Sequence, residues 1–330
     1  MNIKTNEYFS LNSFFEKKDS SKFRNSSFLI TGGTGVLGFA ILNLLKEIGV
    51  KDLHCLTSSV PLNYKNLNGV RYHQMDLRDN IYLNKNIDEF DYIIHAAGYA
   101  QPNKFMKDPI GVFKINVDAT RILINKCKRG FGFISTSEIY SGNTGILNEN
   151  SYGMTNPQHK RACYIESKRS GEFLTSAISS EMKINSKIFR VSTAFGPGFS
   201  NDDQRVLTDF IRSAVINNKI IIKAGAKQTR QVNYNFDAAQ KILIALLYGQ
   251  NNVYNISGNN EVTIQKMAEI ICNFTKSTYE ITSLDDNTGA PQIVNILDKN
   301  FIDEFKFNID TKFDHIIKKS IDWFKRINSL

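Results

Sequence analysis

The sequence predicts an α/β protein: a doubly wound parallel sheet with a smaller C-terminal region folded against it. Three observations predict this. The apolar run SFLIT at 27–31 leads directly into a glycine-rich turn, TGGTGVLG at 31–38. Short apolar runs then alternate with helically spaced ones to about residue 195. Beyond 195 the alternation breaks, and the remaining pieces cannot simply extend a parallel sheet.

Residues 1–26 form an N-terminal extension, in which Tyr8, Phe9, Leu11, Phe14 and Phe15 would line one side of a short helix packed on the main body. SFLIT has the length and content of a buried strand. After the glycine turn, Val36, Leu37, Ala40, Ile41, Leu44, Leu45 and Ile48 repeat at helical spacing, and Gly49 can end the helix. LHCLT at 53–57 is the next strand and completes a βαβ unit. Further strands are expected at 70–74, 91–95, 131–135, 187–191 and 253–257, with NVDAT at 116–120 falling in a helix. GPG at 196–198 breaks the chain; 203–217 reads as a helix, 219–224 as a strand and 312–326 as a helix, with Trp323 and Phe324 packing in its core. The expected partition is a dinucleotide-binding domain over 27–195 that also receives about 236–275, and a substrate-binding region over 196–235 and 276–330.

The 330 residues are 42% hydrophobic, enough for a sizeable core. The net charge of +9 is spread along the chain without a block of like charges, so attraction to anionic ligands is expected and a nucleic-acid arm is not. Cys55, Cys127, Cys163 and Cys272 lie far apart, which argues against a zinc site or a disulfide framework and suits a reducing cytoplasm. No spacing argues for metal, and no apolar run reaches a membrane-spanning length. His54 and His73 are expected to be structural, and His159, near a possible active-site helix, is a lesser substrate candidate.

Two motifs carry chemistry. In the glycine turn, Gly32 permits the tight turn, Gly35 lets a pyrophosphate approach the backbone, and Gly38 lets helix and strand pack closely. The following helix offers its N-terminal N–H groups to the phosphates. In YIESKRSGE at 164–172, Tyr164 and Lys168 share a helical face. A free phenol titrates near pH 10; a neighbouring cation stabilises the phenolate, so the pair would work as a proton shuttle at neutral pH. The same spacing suits an ordinary surface helix, so the rest of the chain has to decide.

MDL at 75–77, HAAG at 95–98, NVDAT at 116–120 and STSEIY at 135–140 follow in order. With them, T-G-x-x-G-x-x-G and the later Tyr-x-x-x-Lys, the chain resembles the extended short-chain dehydrogenase/reductase family, which includes nucleotide-sugar epimerases, dehydratases and decarboxylases; the likeness runs from Phe28 to about Lys325. The resemblance implies a Rossmann-type fold. It also implies that Tyr164 is the catalytic base, that Lys168 is its partner and holds the nicotinamide ribose, and that Thr136 bonds the sugar hydroxyl being oxidised. It assigns Gly32, Thr34, Gly35, Val36, Leu37, Gly38, Thr57, Asp76, Leu77, Ala96, Ala97, Gly98 and Asn116 to the cofactor. STSE at 135–138, NPQHKRACYIESKRSGE at 156–172 and HAAGYAQPNKFMKDP at 95–109 are similar to UDP-glucuronate decarboxylases. That likeness makes Glu138 an acid or base at the sugar C5, Arg230 a diphosphate-side arginine, and Ser137, Thr193, Arg205 and Val206 further substrate contacts.

The chain departs from the family at Thr57, where NAD-binding members usually carry an acid. NAD is the expected cofactor with NADP open, since Lys65 or Arg78 would reach a 2′-phosphate only with a suitable loop. Thr193 replaces an asparagine that binds substrate, and Gly198 replaces an arginine common in the decarboxylases. The expected activity is oxidation at the sugar C4 followed by decarboxylation; a 4,6-dehydratase and a 4-epimerase or 4-ketoreductase remain the alternatives. The expected partners are a nucleotide sugar and a second copy of the chain, the homodimer using Ile110, Val112, Phe113 and Ile115 beside the Tyr-Lys helix.

Overall fold

The computed structural model describes residues 11–16, 21–59, 65–283 and 295–330; Tyr8 and Phe9 lie outside them. Seven parallel strands form the central sheet, in the order Val70–Gln74, Asp52–Thr57, Ser27–Thr31, Phe90–His95, Cys127–Thr136, Asn185–Val191 and Val253–Ile256. The strands are apolar on both faces because both faces are covered. Phe28, Ile30, Leu53 and Ile94 point into one core with the helices Val36–Glu47 and Asn235–Tyr248. Leu29, Leu56, Ile93, Phe131 and Phe133 point into the other, with the helices Asn80–Asn86 and Ala119–Ile124. The predicted doubly wound sheet is therefore the observed one.

Leu11 and Phe15 of the N-terminal extension are buried in the first core, and Phe14 stands edge-on to Tyr248 at 5.7 Å. The stretch around 116–120 is not plain helix. A π-helical turn, Lys114–Asp118, separates Pro109–Phe113 from Ala119–Ile124. Such turns insert one extra residue and re-aim the side chains around them.

The C-terminal region has its own apolar cluster, built from the helices Val206–Asn217, Ile264–Thr275 and Phe313–Ile327. Trp323 and Phe324 are core residues there, and the indole N–H of Trp323 donates to the Phe199 carbonyl at 2.9 Å. Two elements pack across the sequence-based partition. Ile264, Met267 and Ile271 join the second cluster, although 236–275 was assigned to the first domain. Phe301 and Ile309 join the first cluster, although 276–330 was assigned to the second. The helix 203–217 starts at Val206, because the Asp203 carboxylate takes the Arg205 backbone N–H and guanidinium in the turn before it. Thr193–Phe195 runs parallel to Thr229–Tyr234, which pairs antiparallel with Asn260–Thr263, so Thr193 and Arg230 share one small sheet beside the main one.

Candidate active site

A cleft of about 860 Å³ opens at the carboxyl ends of the central strands. One wall is the glycine turn. Gly32 has φ +69°, and a Cβ there would lie 2.7 Å from the Ala97 backbone. A Cβ on Gly38 would lie 2.3 Å from the Gly32 carbonyl oxygen, so only glycine lets the helix start this close to the strand. Gly35 caps that helix without a side-chain bond, which leaves the N-terminal N–H groups turned to the cleft at Val36 and Leu37. Thr34, Thr57, Asp76, Leu77, Ala96, Ala97 and Gly98 line the same half. Beneath them the buried His95 donates from Nε2 to the Ile115 carbonyl at 3.0 Å and accepts at Nδ1 from the Thr31 hydroxyl at 2.7 Å. Burial lowers its pKa to about 3, so the ring is a neutral structural bridge.

Asn116 does not line the cleft. It lies one layer behind, donating from Nδ2 to Ser167 at 2.9 Å, while its buried Oδ1 has no partner and faces Gly98. The π-helical turn sets it back. Thr57 lines the cleft, but its hydroxyl is held by the Ser59 carbonyl at 3.0 Å and lies 3.3 Å from that of Thr34. Arg78 is engaged by Asp76 and Asp108, and the Lys65 ammonium by the Thr34 carbonyl and the Ser200 hydroxyl. Neither basic side chain waits free for a 2′-phosphate.

The other half holds Thr136, Ser137, Glu138, Tyr164 and Lys168, with Thr193, Arg205, Val206 and Arg230 facing them. Thr136 ends its strand, and its hydroxyl accepts the Glu138 backbone N–H at 3.2 Å. Tyr164 and Lys168 project from the first turns of the long helix Ala162–Met182. The Lys168 ammonium donates to the Ile134 carbonyl at 2.7 Å and sits 4.9 Å from the Phe133 ring centre. Burial lowers its pKa to about 7, against a raising influence from Glu172. The expectation that Lys168 depresses the Tyr164 pKa does not hold in this state. Burial pushes the phenol up to about 12 and Glu138 pushes the same way, while Thr136, Arg161 and Arg205 pull down. The Lys168 ammonium is turned to the Ile134 carbonyl, and burial weakens its charge, while burial of the phenol itself dominates.

Three residues here escaped the sequence reading. The Phe105 ring stacks on Tyr164 at 4.8 Å, nearly parallel. Arg161 lies over the other side of the Phe105 neighbourhood, 5.2 Å from its ring centre, and reaches both oxygens of Glu138. Glu172 is held by the Ser135 hydroxyl and by Arg190 through Nη2 at 2.8 Å, which ties the Tyr-Lys helix to the strand that carries Thr136. Only the last had a signal, an acid four residues after Lys168. Arg205 is paired to Asp203 and donates to the Ala194 carbonyl, whereas Arg230 donates to neutral acceptors, the Thr229 carbonyl and Gln228 Oε1. His159 is exposed and does not line the cleft. His54 and His73 bond each other at 2.7 Å within the sheet. Gly198 has φ +111°, and a Cβ would lie 2.8 Å from the Phe39 ring, so the arginine common in related chains has no room at this position. All four cysteines are free. Among the described residues there is no metal-binding cluster and no helix long and apolar enough to cross a membrane. Of the expected dimer contacts, Val112 and Ile115 are buried within the chain, while Ile110 and Phe113 are exposed.

Comparison with known proteins agrees with this geometry. The chain is 28% identical over 290 residues to UDP-glucuronic acid decarboxylase 6 of Arabidopsis thaliana, covering 82% of this chain and 83% of the plant enzyme. It is 27% identical over 285 residues to UDP-glucuronic acid decarboxylase 1 of Xenopus tropicalis, covering 84% of this chain and 66% of the frog protein's length. In fold it is similar to UDP-glucose 4-epimerase of Thermotoga maritima, with a TM-score of 0.80 at 17% identity, over 92% of this chain and 99% of that one. The dTDP-glucose 4,6-dehydratase of Streptomyces venezuelae, solved with NAD bound, gives 0.78 at 17% identity over 92% and 98%. The pattern of the NAD dependent epimerase/dehydratase family matches residues 28–257, and the chain belongs to that family.

Proposed function

We propose that the protein is a nucleotide-sugar enzyme that retains NAD, oxidises the sugar C4 hydroxyl and then decarboxylates a UDP-glucuronate-like substrate. The observation that carries the reading is the convergence of Thr136, Glu138, Tyr164 and Lys168 on one cleft beside the glycine turn. The residues present fit the cofactor: Gly32 and Gly38 let the strand and helix pack closely at the turn, and Gly35 leaves the helix N-terminal N–H groups without a side-chain cap at the cleft. Gly32, Gly35, Val36, Leu37 and Gly38 would hold its pyrophosphate, Asp76 and Leu77 its adenine end, and Lys168 the nicotinamide ribose. Bound NAD supplies the hydride acceptor and donor.

Thr136 orients the C4 hydroxyl, and Tyr164 takes its proton. Tyr164 needs the cations of the filled site to do this, because burial, with the Glu138 charge, holds the phenol protonated up to about pH 12. A ketone at C4 makes a carboxylate on C5 easy to lose as carbon dioxide, and Glu138 is placed to exchange a proton at C5. Arg230, bonded only to neutral acceptors among the described residues, faces the substrate diphosphate. The departures at Thr193 and Gly198 leave 4,6-dehydration of a nucleotide hexose as the second reading, since it uses the same C4 oxidation and the same acid-base group.

The test is incubation with UDP-glucuronate, without added nicotinamide, followed by NMR of the sugar signals. A UDP-pentose is the expected product. An unchanged spectrum from folded, cofactor-loaded protein refutes decarboxylation of that sugar, and formation of a 4-keto-6-deoxy sugar from a nucleotide hexose would establish the second reading.

A further inference from the structure

The acid-base candidate Glu138 is not free. The Arg161 guanidinium reaches both of its oxygens, with Nε 3.3 Å from Oε2 and Nη2 closer still to Oε1. The pair is mostly sheltered, with 12% of the Arg161 side chain and 24% of the Glu138 side chain exposed. Arg161 is fixed in place as the residue before the helix Ala162–Met182, over the Phe105 ring that also stacks on Tyr164. A carboxylate clamped through both oxygens is poorly placed to exchange a proton with a substrate carbon. The charge around it is unbalanced as well. Arg230 stands close enough that the Arg161 charge, with burial, pushes it down from the ordinary guanidinium range, and its hydrogen-bond acceptors are neutral. Arg205 by contrast is matched by Asp203. This part of the cleft therefore holds two guanidiniums, Arg161 and Arg230, and the single carboxylate Glu138, which Arg161 engages.

We propose that Arg161 is a specificity-determining residue for a carboxylate on the substrate's sugar: that carboxylate takes over Arg161, and the exchange releases Glu138 to act at the neighbouring carbon. The inference rests on the nucleotide-sugar reading above and names the feature of the sugar that the site selects. A carboxylate offers Arg161 the same planar two-oxygen acceptor that Glu138 provides. A neutral hydroxymethyl group does not, so an uncharged sugar leaves Glu138 clamped.

The experiment is calorimetric titration of the NAD-loaded Tyr164→Phe protein, whose turnover is expected to be slowed enough to read binding, with UDP, UDP-glucose and UDP-glucuronate. The expected preference for UDP-glucuronate over UDP-glucose is about 10- to 100-fold, the range of a charge-assisted hydrogen-bond pair. Adding Arg161→Gln should bring that ratio close to one and leave UDP binding within about threefold. Adding Glu138→Gln instead should tighten UDP-glucuronate selectively by freeing Arg161, and this gain should vanish when both substitutions are present. A preference that survives Arg161→Gln overturns the assignment. So does an equal loss for all three ligands, which would make Arg161 a diphosphate contact. If Arg161→Gln does not fold, the Glu138→Gln arm decides alone, and no selective tightening overturns the proposal. The product assay stands apart from these arms: UDP-pentose formation alongside a failed titration removes the role of Arg161 and keeps the activity, whereas no preference together with no UDP-pentose removes both.

Discussion

Replacing Glu172 with glutamine should damage stability and the charge of Lys168 together. The Glu172 carboxylate is buried, takes the Ser135 hydroxyl, and is forked by Arg190 through Nε at 3.1 and 3.2 Å and Nη2 at 2.8 Å. Arg190 is 14% exposed at its side chain, and it keeps only the Tyr140 hydroxyl and the Glu149 carbonyl once the carboxylate is gone. Breaking one side of such a pair leaves an uncompensated buried charge, which costs about 3–5 kcal/mol. For a chain of this size that is a fall in Tm of about 4–7 °C. Glu172 is also the group that raises the Lys168 pKa against burial. Its loss lowers that pKa below about 7, so the alkaline limb of activity that reports Lys168 deprotonation moves to lower pH. Urea unfolding and a pH–rate profile measure the two effects. Glu172→Asp, which keeps the charge, should restore the pH profile before it restores full stability. A Glu172→Gln protein within 1 kcal/mol of wild type, with an unmoved pH profile, would refute the reasoning.

Tyr164→Phe should lower turnover by about 10²- to 10⁴-fold with little change in Tm, because the stack on Phe105 at 4.8 Å needs only the ring; wild-type turnover would exclude Tyr164 as the base. Gly38→Ala puts a Cβ 2.3 Å from the Gly32 carbonyl oxygen, which is backbone and cannot step aside, so NAD released on denaturation should drop sharply while stability falls by about 1–3 kcal/mol. Lys241→Met should cost about 3–5 kcal/mol in urea unfolding, since the fully buried ammonium bonds Asp298 at 2.7 Å and the Ser257 carbonyl at 2.8 Å; a loss under 1 kcal/mol would show that Ser257 alone satisfies Asp298. Lys168 is neutral in the fold above about pH 7, whereas an unfolded lysine keeps its proton to about 10.4, so the unfolded state binds the extra proton between these values. Stability should therefore climb from neutral to alkaline pH through this group, and Lys168→Met should flatten that part of the stability curve.

Much of this was legible because it is written locally. The strand, glycine turn and helix at 27–48 depend on spacing and on the absence of a Cβ, and both are visible in the sequence. The residues at strand ends, such as Thr136 and Gly98, fall at the cleft because a parallel sheet brings all carboxyl ends to one edge. What was missed depends on contacts between distant segments. Nothing near Phe105 states that its ring will meet Tyr164, 59 positions on. The helical pattern of 264–275 shows one apolar face, but not which of two cores receives it. Asn116 is assigned to the cofactor by its motif, and the structure sets it in a π-helical turn with its amide on Ser167, a tertiary contact that leaves no mark in the residue pattern.

The pair Arg161–Glu138 shows why charge at a site cannot be counted from sequence alone. Lining residues give the cleft several basic groups, yet Arg205, Arg78 and Lys65 are each already bound within the chain. Arg161 is held by Glu138, and among the described residues Arg230 is the lining guanidinium with only neutral acceptors. In the same cleft burial holds the Tyr164 phenol up at about 12 and draws the Lys168 ammonium down to about 7. Burial thus shifts both groups away from their ordinary values in the free protein. Anions and cations brought by ligands are what would correct them: positive charge beside Tyr164 lowers the phenol, and negative charge near Lys168 restores the ammonium. A cleft arranged this way depends on the charges of its ligands to set these two groups, because the chain's own neighbours hold both away from their ordinary values.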